Sequence, residues 1–218
     1  MDDARTDAEL LRAWRDSDDA AGNELVRRHF MSVYRFFVNK VGTPDEVDDL
    51  LQRSFLACVE GRDRVRDDSS LRGYILGIAR NQMLMYVRRA QRARRRDGGS
   101  DVSMAELSGS PSQVMAGREE EKLLLVALRH IPLELQTVVE LYYWEELSVA
   151  QMAQVLEIPG GTVKSRLFRA RDALRQALAA MDVPASIRKT TVDGFEHWAR
   201  SLRAVLQRDP TDDESPAG

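Results

Sequence analysis

Ser148 to Leu178 constrains this chain more than any other stretch. Ser148-Val-Ala-Gln151 has the spacing of a reciprocal helix cap. In that pattern a hydroxyl accepts from the backbone three residues on, and the side chain there returns to the cap's own N–H. The helix it opens ends near Leu156. Pro159-Gly160-Gly161 then predicts a turn, and Thr162 predicts the cap of a second helix running to about Ala180. A helix, a tight turn and a second helix form the pair that lays its second member in the DNA major groove.

The faces of that second helix can be read by placing residues at about 100° intervals. Val163, Leu167, Ala170 and Leu174 fall on one side and predict a core stripe. Ser165, Phe168, Arg169 and Asp172 fall opposite. Lys164, Arg171 and Arg175 lie on one flank and Arg166 on the other. Phe168 is the informative residue, because an aromatic opposite the core stripe has no partner within a simple helical pair. A thymine methyl or a sugar would supply one, with Ser165 and Arg169 reaching base edges. Lys164, Arg166 and Arg171 suit phosphates. A merely solvated basic face is the competing reading.

Charge is distributed in the same sense. The net charge is −3, yet nucleic-acid binding needs a local basic surface rather than a basic total. Arg80 to Arg96 holds seven arginines and no acid, and Lys164 to Arg175 holds four arginines, one lysine and one Asp. Two basic blocks in an acidic chain imply two phosphate-facing sites. In the first block Asn81, Gln82, Tyr86, Arg88 and Arg89 bring amide, aromatic and guanidinium groups onto one element. Such groups stack on and hydrogen-bond to unpaired bases.

The fold class expected is all-α: two helical domains joined by a flexible linker, with a C-terminal helical extension. The expected bounds are 1–97 for the first domain, 98–116 for the linker, 117–182 for the second domain and 183–218 for the extension. Helices are predicted over Ala8–Trp14, Ala20–Val41, Pro44–Glu60 and Leu71–Arg96, with Thr43 and Glu46 forming a cap and Gly61 lying just past a helix end. Arg62 to Ser70 reads as a loop. The Gly- and Ser-rich stretch after Asp97 reads as linker. Helices return over Glu119–His130 and Leu133–Trp144. One amphipathic helix is predicted over Val192–Leu206, ahead of a disordered acidic tail. The lone Cys58 rules out an internal disulfide and reads as a small buried hydrophobe.

With these parts on the page, the chain from about Leu25 to Leu178 resembles the extracytoplasmic-function group of the sigma-70 family. Asp45-Glu-Val-Asp-Asp-Leu-Leu-Gln-Arg-Ser-Phe55 resembles the helix such factors dock on the polymerase clamp. Leu71 to Asn81, continuing to Arg88-Arg89, resembles the segment that melts and reads the −10 element. Ile131-Pro-Leu-Glu-Leu, Leu147-Ser-Val-Ala-Gln-Met-Ala and Gly161-Thr-Val-Lys-Ser-Arg-Leu-Phe-Arg-Ala-Arg171 resemble the −35-reading domain. The resemblance implies that Lys164, Ser165, Phe168 and Arg169 read the −35 element and that Asn81 contacts the −10 non-template strand. It implies that the loop Asp63–Ser70 receives a flipped base. It places Asp45, Asp48, Asp49 and Gln52 at the polymerase interface. The chain departs from the family pattern at Met85, Arg53, Gly73-Tyr74 and Gly160.

The implied partners are core RNA polymerase, promoter DNA and an anti-sigma factor, with no membrane insertion and a cytoplasmic location. The N-terminus is acidic and lacks the apolar run of a signal peptide. No enzyme is read here and no cofactor or metal is expected. His29, His130 and His197 are scattered, and no phosphate loop or nucleophile elbow occurs. The alternative is a stand-alone helix-turn-helix transcriptional regulator, whose first domain would carry a ligand pocket in place of the acidic helix and the arginine-rich helix end.

Overall fold

The computed structural model describes residues 5–65, 71–96, 119–182 and 184–206, and no strand occurs among them. The first unit comprises α1 (Asp7–Arg15), α2 (Asp19–Val38), α3 (Pro44–Gly61) and α4 (Leu71–Arg96). The second comprises α5 (Glu119–Arg129), α6 (Leu133–Tyr143), α7 (Val149–Leu156) and α8 (Gly160–Ala180), followed by α9 (Ala185–Asp193) and α10 (Phe195–Leu206).

The first three helix starts have local causes. The Thr6 hydroxyl accepts from the Glu9 N–H at 3.3 Å while the Glu9 carboxylate takes the Thr6 N–H at 2.7 Å. Asp18 caps α2. The Thr43 hydroxyl accepts from the Glu46 N–H at 3.4 Å, and Pro44 enters the first turn of α3, where its missing N–H costs nothing. The Glu46 carboxylate meets the Thr43 hydroxyl, at 2.9 Å. Gly61 is the last residue of α3 rather than a residue beyond it, and α2 stops at Val38, short of the expected Val41. Arg62–Arg64 forms a single 3-10 turn. The rest of the expected loop to Ser70, the linker and the acidic tail lie outside the described residues.

Leu10, Leu11 and Trp14 of α1 pack with Leu25, Val33 and Phe37 of α2, Val47 and Leu50 of α3, and Ile75, Ala79 and Met83 of α4. Each Leu, Val, Ile, Phe or Met among them contributes about 1.5–3 kcal/mol on burial. Gly22 makes the close approach of α1 possible: a Cβ there would lie 2.4 Å from the Trp14 indole nitrogen. Cys58 joins this core, and burial pushes its thiol up to about 11, as suits an inert packing residue.

The second core gathers Leu124 and Leu128, Val138 and Leu141, Trp144, Met152, Leu156, Val163, Leu167, Leu174 and Leu178. Phe195 and Ala199 of the extension belong to it too. The extension is two helices, not the one expected over Val192–Leu206. Gly194 ends α9, its N–H bonding the Thr190 carbonyl at 2.9 Å, and the chain restarts at Phe195. Phe195 then meets the Tyr143 ring edge-on at 5.6 Å.

The two units pack on one another. Leu76 of α4 is buried in the second core, and Leu133 packs against the first. Around this contact sits a set of charges removed from water. Lys40 forms a buried ion pair with Glu140 and also donates to the Phe36 carbonyl at 2.7 Å. Glu145 receives Arg72 and, at 3.4 Å, Arg35. Arg129 donates to the Asn39 carbonyl at 3.1 Å. Burial pulls Lys40 below its ordinary range and pushes Glu140 up to about 7.

Candidate nucleic-acid interface

The Ser148 cap closes as expected, with Gln151 N–H to the Ser148 hydroxyl at 3.2 Å and Ser148 N–H to the Gln151 side chain at 2.9 Å. The turn that follows differs from its sequence reading. Glu157, at φ 54° and ψ 41°, supplies the left-handed residue that ends α7, and Pro159 stands at the cap position of α8. Gly160 and Gly161 are already helical and Thr162 is inside the helix. A Cβ at Gly161 would meet nothing within 4 Å. The turn is therefore made by backbone geometry at Glu157, and Pro159 starts the helix through its fixed φ. Thr162 and Val163 donate to the Pro159 carbonyl at 2.8 and 3.1 Å.

Along α8 the stripe Val163, Leu167, Ala170, Leu174 and Leu178 is buried, so the helix can turn in only one way. Lys164, Ser165 and Arg169 are exposed opposite it, and Phe168 is 71% exposed. Among the described residues neither Lys164 nor Arg169 is in an ion pair. Ser165 donates its hydroxyl to the Thr162 carbonyl at 3.0 Å, which leaves its oxygen free to accept.

One arginine on each flank is engaged. Arg166 is ion-paired with Glu134 at 3.0 Å. Arg171 donates to the Tyr143 hydroxyl at 3.0 and 2.8 Å and lies 3.4 Å from Glu196. Both are expected phosphate ligands, and in the free chain each already holds a partner within the protein. The partners that hold them come from α6 and α10, which helix spacing within α8 does not reveal.

The first basic element is the C-terminal part of α4, from Arg80 to Arg96. Asn81, Arg88 and Arg89 are exposed. Arg80 and Asn81 line a cleft with Gly77 on one wall and Gln151, Gln154, Val155 and Glu157 of the second unit on the other. A Cβ at Gly77 would stand 3.5 Å from the Val155 carbonyl oxygen, an ordinary contact, so the approach does not depend on glycine there. Partial burial lowers the Arg80 guanidinium from its ordinary value, and Arg166 adds to this. Tyr86 is not a free stacking platform. Its hydroxyl donates to Glu46 at 2.8 Å, and burial, then this bond, push the phenol well up.

Asp45, Asp48, Asp49 and Gln52 are exposed on α3, with Arg53 folded back onto Asp49 at 2.9 Å. Beside them lies an apolar surface that the sequence reading missed. Phe30 is 40% exposed and stacks at 6.1 Å on Phe55, while Leu56 is 59% exposed and Val59 also reaches solvent. Leu56 follows Gln52 at helical spacing, and this period was the signal that could have found it. Phe30 faces outward on α2, while its neighbour His29 turns inward and meets Asp7 at 2.7 Å. No described helix is long and apolar enough to cross a membrane.

Comparison with known proteins agrees in both sequence and fold. Residues 25–93 match the family described as Sigma-70 region 2, and residues 121–174 match Sigma-70, region 4. The ECF RNA polymerase sigma-E factor of Salmonella typhimurium is 28% identical over 185 residues, covering 80% of this chain and 95% of the relative. The ECF RNA polymerase sigma factor SigM of Mycobacterium tuberculosis is 29% identical over 185 residues, covering 85% and 91%. CnrH, solved with the cytosolic domain of CnrY, superposes with a TM-score of 0.60 at 22% identity, covering 81% of this chain and 99% of CnrH. RpoE, solved with the anti-sigma factor NepR from Bartonella quintana, superposes with a TM-score of 0.60 at 21% identity, covering 72% and 96%.

Proposed function

The chain belongs to the sigma-70 family as an extracytoplasmic-function RNA polymerase sigma factor, and from that premise we propose how its surfaces divide the work. The family consists of non-enzymatic transcription initiation factors, so the task is recognition rather than catalysis. The first domain, 1–97, binds core RNA polymerase and captures opened −10 DNA. The linker 98–116 spans to the second domain, 117–182, which reads the −35 duplex. The extension is 183–218.

One observation carries the −35 assignment. α8 buries Val163, Leu167, Ala170 and Leu174 while presenting Lys164, Ser165, Arg169 and the 71%-exposed Phe168 to solvent. An exposed aromatic costs about 1.5–3 kcal/mol of forgone burial unless a partner covers it. A thymine methyl and two base edges provide that partner, with Lys164 on a phosphate. Asn81, Arg88 and Arg89 serve the single-stranded −10 bases. Tyr86 reaches them only if its bond to Glu46 is exchanged. Asp45, Asp48, Asp49 and Gln52, flanked by Leu56 and Phe30, form the polymerase contact: an acidic rim around an exposed apolar spot.

Because Asn81 faces α7 across a cleft, promoter capture requires the two units to part. Core polymerase supplies the separation and fixes the spacing, so the free chain binds promoter DNA weakly. An anti-sigma factor that holds the two units together is the corresponding inhibitor, and RpoE was solved in complex with an anti-sigma factor, NepR. Work on chromosomal promoters sets the site of action in the cytoplasm.

The test is reconstitution. Purified protein mixed with bacterial core polymerase is expected to co-migrate on gel filtration and to start transcripts at specific sites in a genomic fragment library. Failure to form that complex, with specific duplex binding by the protein alone, would overturn this reading in favour of a stand-alone regulator.

A further inference from the structure

Two arginines from different parts of the chain meet over one aromatic ring. The guanidinium carbons of Arg171 on α8 and Arg200 on α10 each lie 5.9 Å from the centre of the Tyr143 ring. Between them stands the Glu196 carboxylate, 3.4 Å from Arg171 and 3.6 Å from Arg200. Tyr143 is buried, and its hydroxyl accepts twice from Arg171, so it sets the direction of that guanidinium. Arg200 and Glu196 do not hang on a loose tail. They share α10 with Phe195 and Ala199, both buried in the second core.

Stability does not account for this arrangement. Arg200 and Glu196 are each more than half exposed, and exposed ion pairs contribute little. Two convergent guanidiniums around one anion are, by contrast, the donor set that takes a phosphate. Arg171 lies on the flank of α8 that also carries Lys164 and Arg175, both exposed.

We propose that Arg171 and Arg200 form a binding site for a backbone phosphodiester of the promoter duplex, with Tyr143 as the positioning residue and Glu196 holding the phosphate's place until DNA displaces it. This rests on the reading that α8 enters duplex DNA. The extension then contributes directly to DNA binding. Its contribution carries no sequence information, because a phosphate is the same at every step. Glu196 cancels one of the two positive charges in the free chain, which limits capture of arbitrary DNA. The same carboxylate leaves both arginines correctly spaced for the exchange.

The experiment uses holoenzyme made with the full chain on a promoter that it selects, and measures promoter-complex formation across a salt series. Each phosphate contact contributes about 0.9 to the slope of log affinity against log salt. Arg200→Ala is expected to flatten the slope by about that amount and to weaken the complex several-fold at low salt, with Arg200→Lys retaining most of both. Glu196→Gln is expected to tighten the complex several-fold. None of these is expected to change which promoters are chosen. Unaltered slopes and affinities for Arg200→Ala and Glu196→Gln, beside a flattened slope for Lys164→Ala, would overturn the site and leave the role of α8 standing. An unaltered slope for Lys164→Ala as well would remove both.

Discussion

The second unit carries charge on two surfaces that behave in opposite ways. Toward the first unit, Arg129, Glu140 and Glu145 are buried and partnered by Asn39, Lys40, Arg35 and Arg72. On the outer face of α8, Lys164 and Arg169 stand in solvent. Burying an ion is expensive, and its partner repays the cost only when the geometry is good. The inner charges therefore fix how two helical surfaces register, and little of their energy is left for anything else. The outer charges keep their full capacity for an anion that arrives later. Identical residue types thus serve orientation in one place and recognition in the other, and water decides which.

The sharpest way to break this contrast is at Glu140. Replacing it with Ala leaves the buried Lys40 without its carboxylate, with only the Phe36 carbonyl and ring beside it, and is expected to cost about 3–5 kcal/mol in chemical denaturation. Replacing the pair together, Lys40→Met with Glu140→Leu, is expected to restore most of that loss. If the single and double variants lose the same stability, the charges are not acting as a pair. On the outer face, Arg169→Ala is expected to weaken −35 recognition by about 1–3 kcal/mol, and unequally across sequences, in a promoter-selection assay. An equal loss on every sequence would argue against base contact by that residue. Phe168→Ala is expected to shift stability by no more than about 0.5 kcal/mol while lowering promoter selection, which thermal melts and transcription together would separate.

The smallest expected effect is one of pH. The hydrogen bond from His29, more than any other cause, holds the Asp7 carboxyl below its ordinary value of 3.8. A depressed carboxylate stabilises the fold above its unfolded value and loses that contribution as pH falls through the folded one. Acid titration of stability should therefore show a loss below about pH 4 that is smaller in Asp7→Asn, the remainder coming from Glu9, Asp18 and Glu24, whose carboxyls are also depressed.

How far the chain could be read depended on whether a residue's partner lay on its own helix. The stripe Val163, Leu167, Ala170 and Leu174, and Phe168 opposite, follow from a period within one element. The Ser148–Gln151 cap is likewise local, and it closes. Tyr86 finds Glu46, Arg166 finds Glu134 and Lys40 finds Glu140 across gaps that no spacing rule spans. Only Glu140 left a trace, as an acid within the apolar run Val138-Val-Glu-Leu-Tyr-Tyr143, where every helix face is covered. The glycine pair at Gly160 invited the wrong turn residue. A glycine permits a left-handed backbone without demanding one, and Glu157 adopts it instead.

The charged seam between the units also has a thermal signature. Exposing apolar area raises heat capacity on opening, and exposing polar area lowers it. Parting Leu76 and Leu133 from their neighbours pulls in the first direction, while rehydrating Lys40, Glu140, Glu145, Arg35 and Arg129 pulls in the second. The hinge therefore opens with little curvature in its enthalpy. Unfolding of either helical core would bend steeply with temperature.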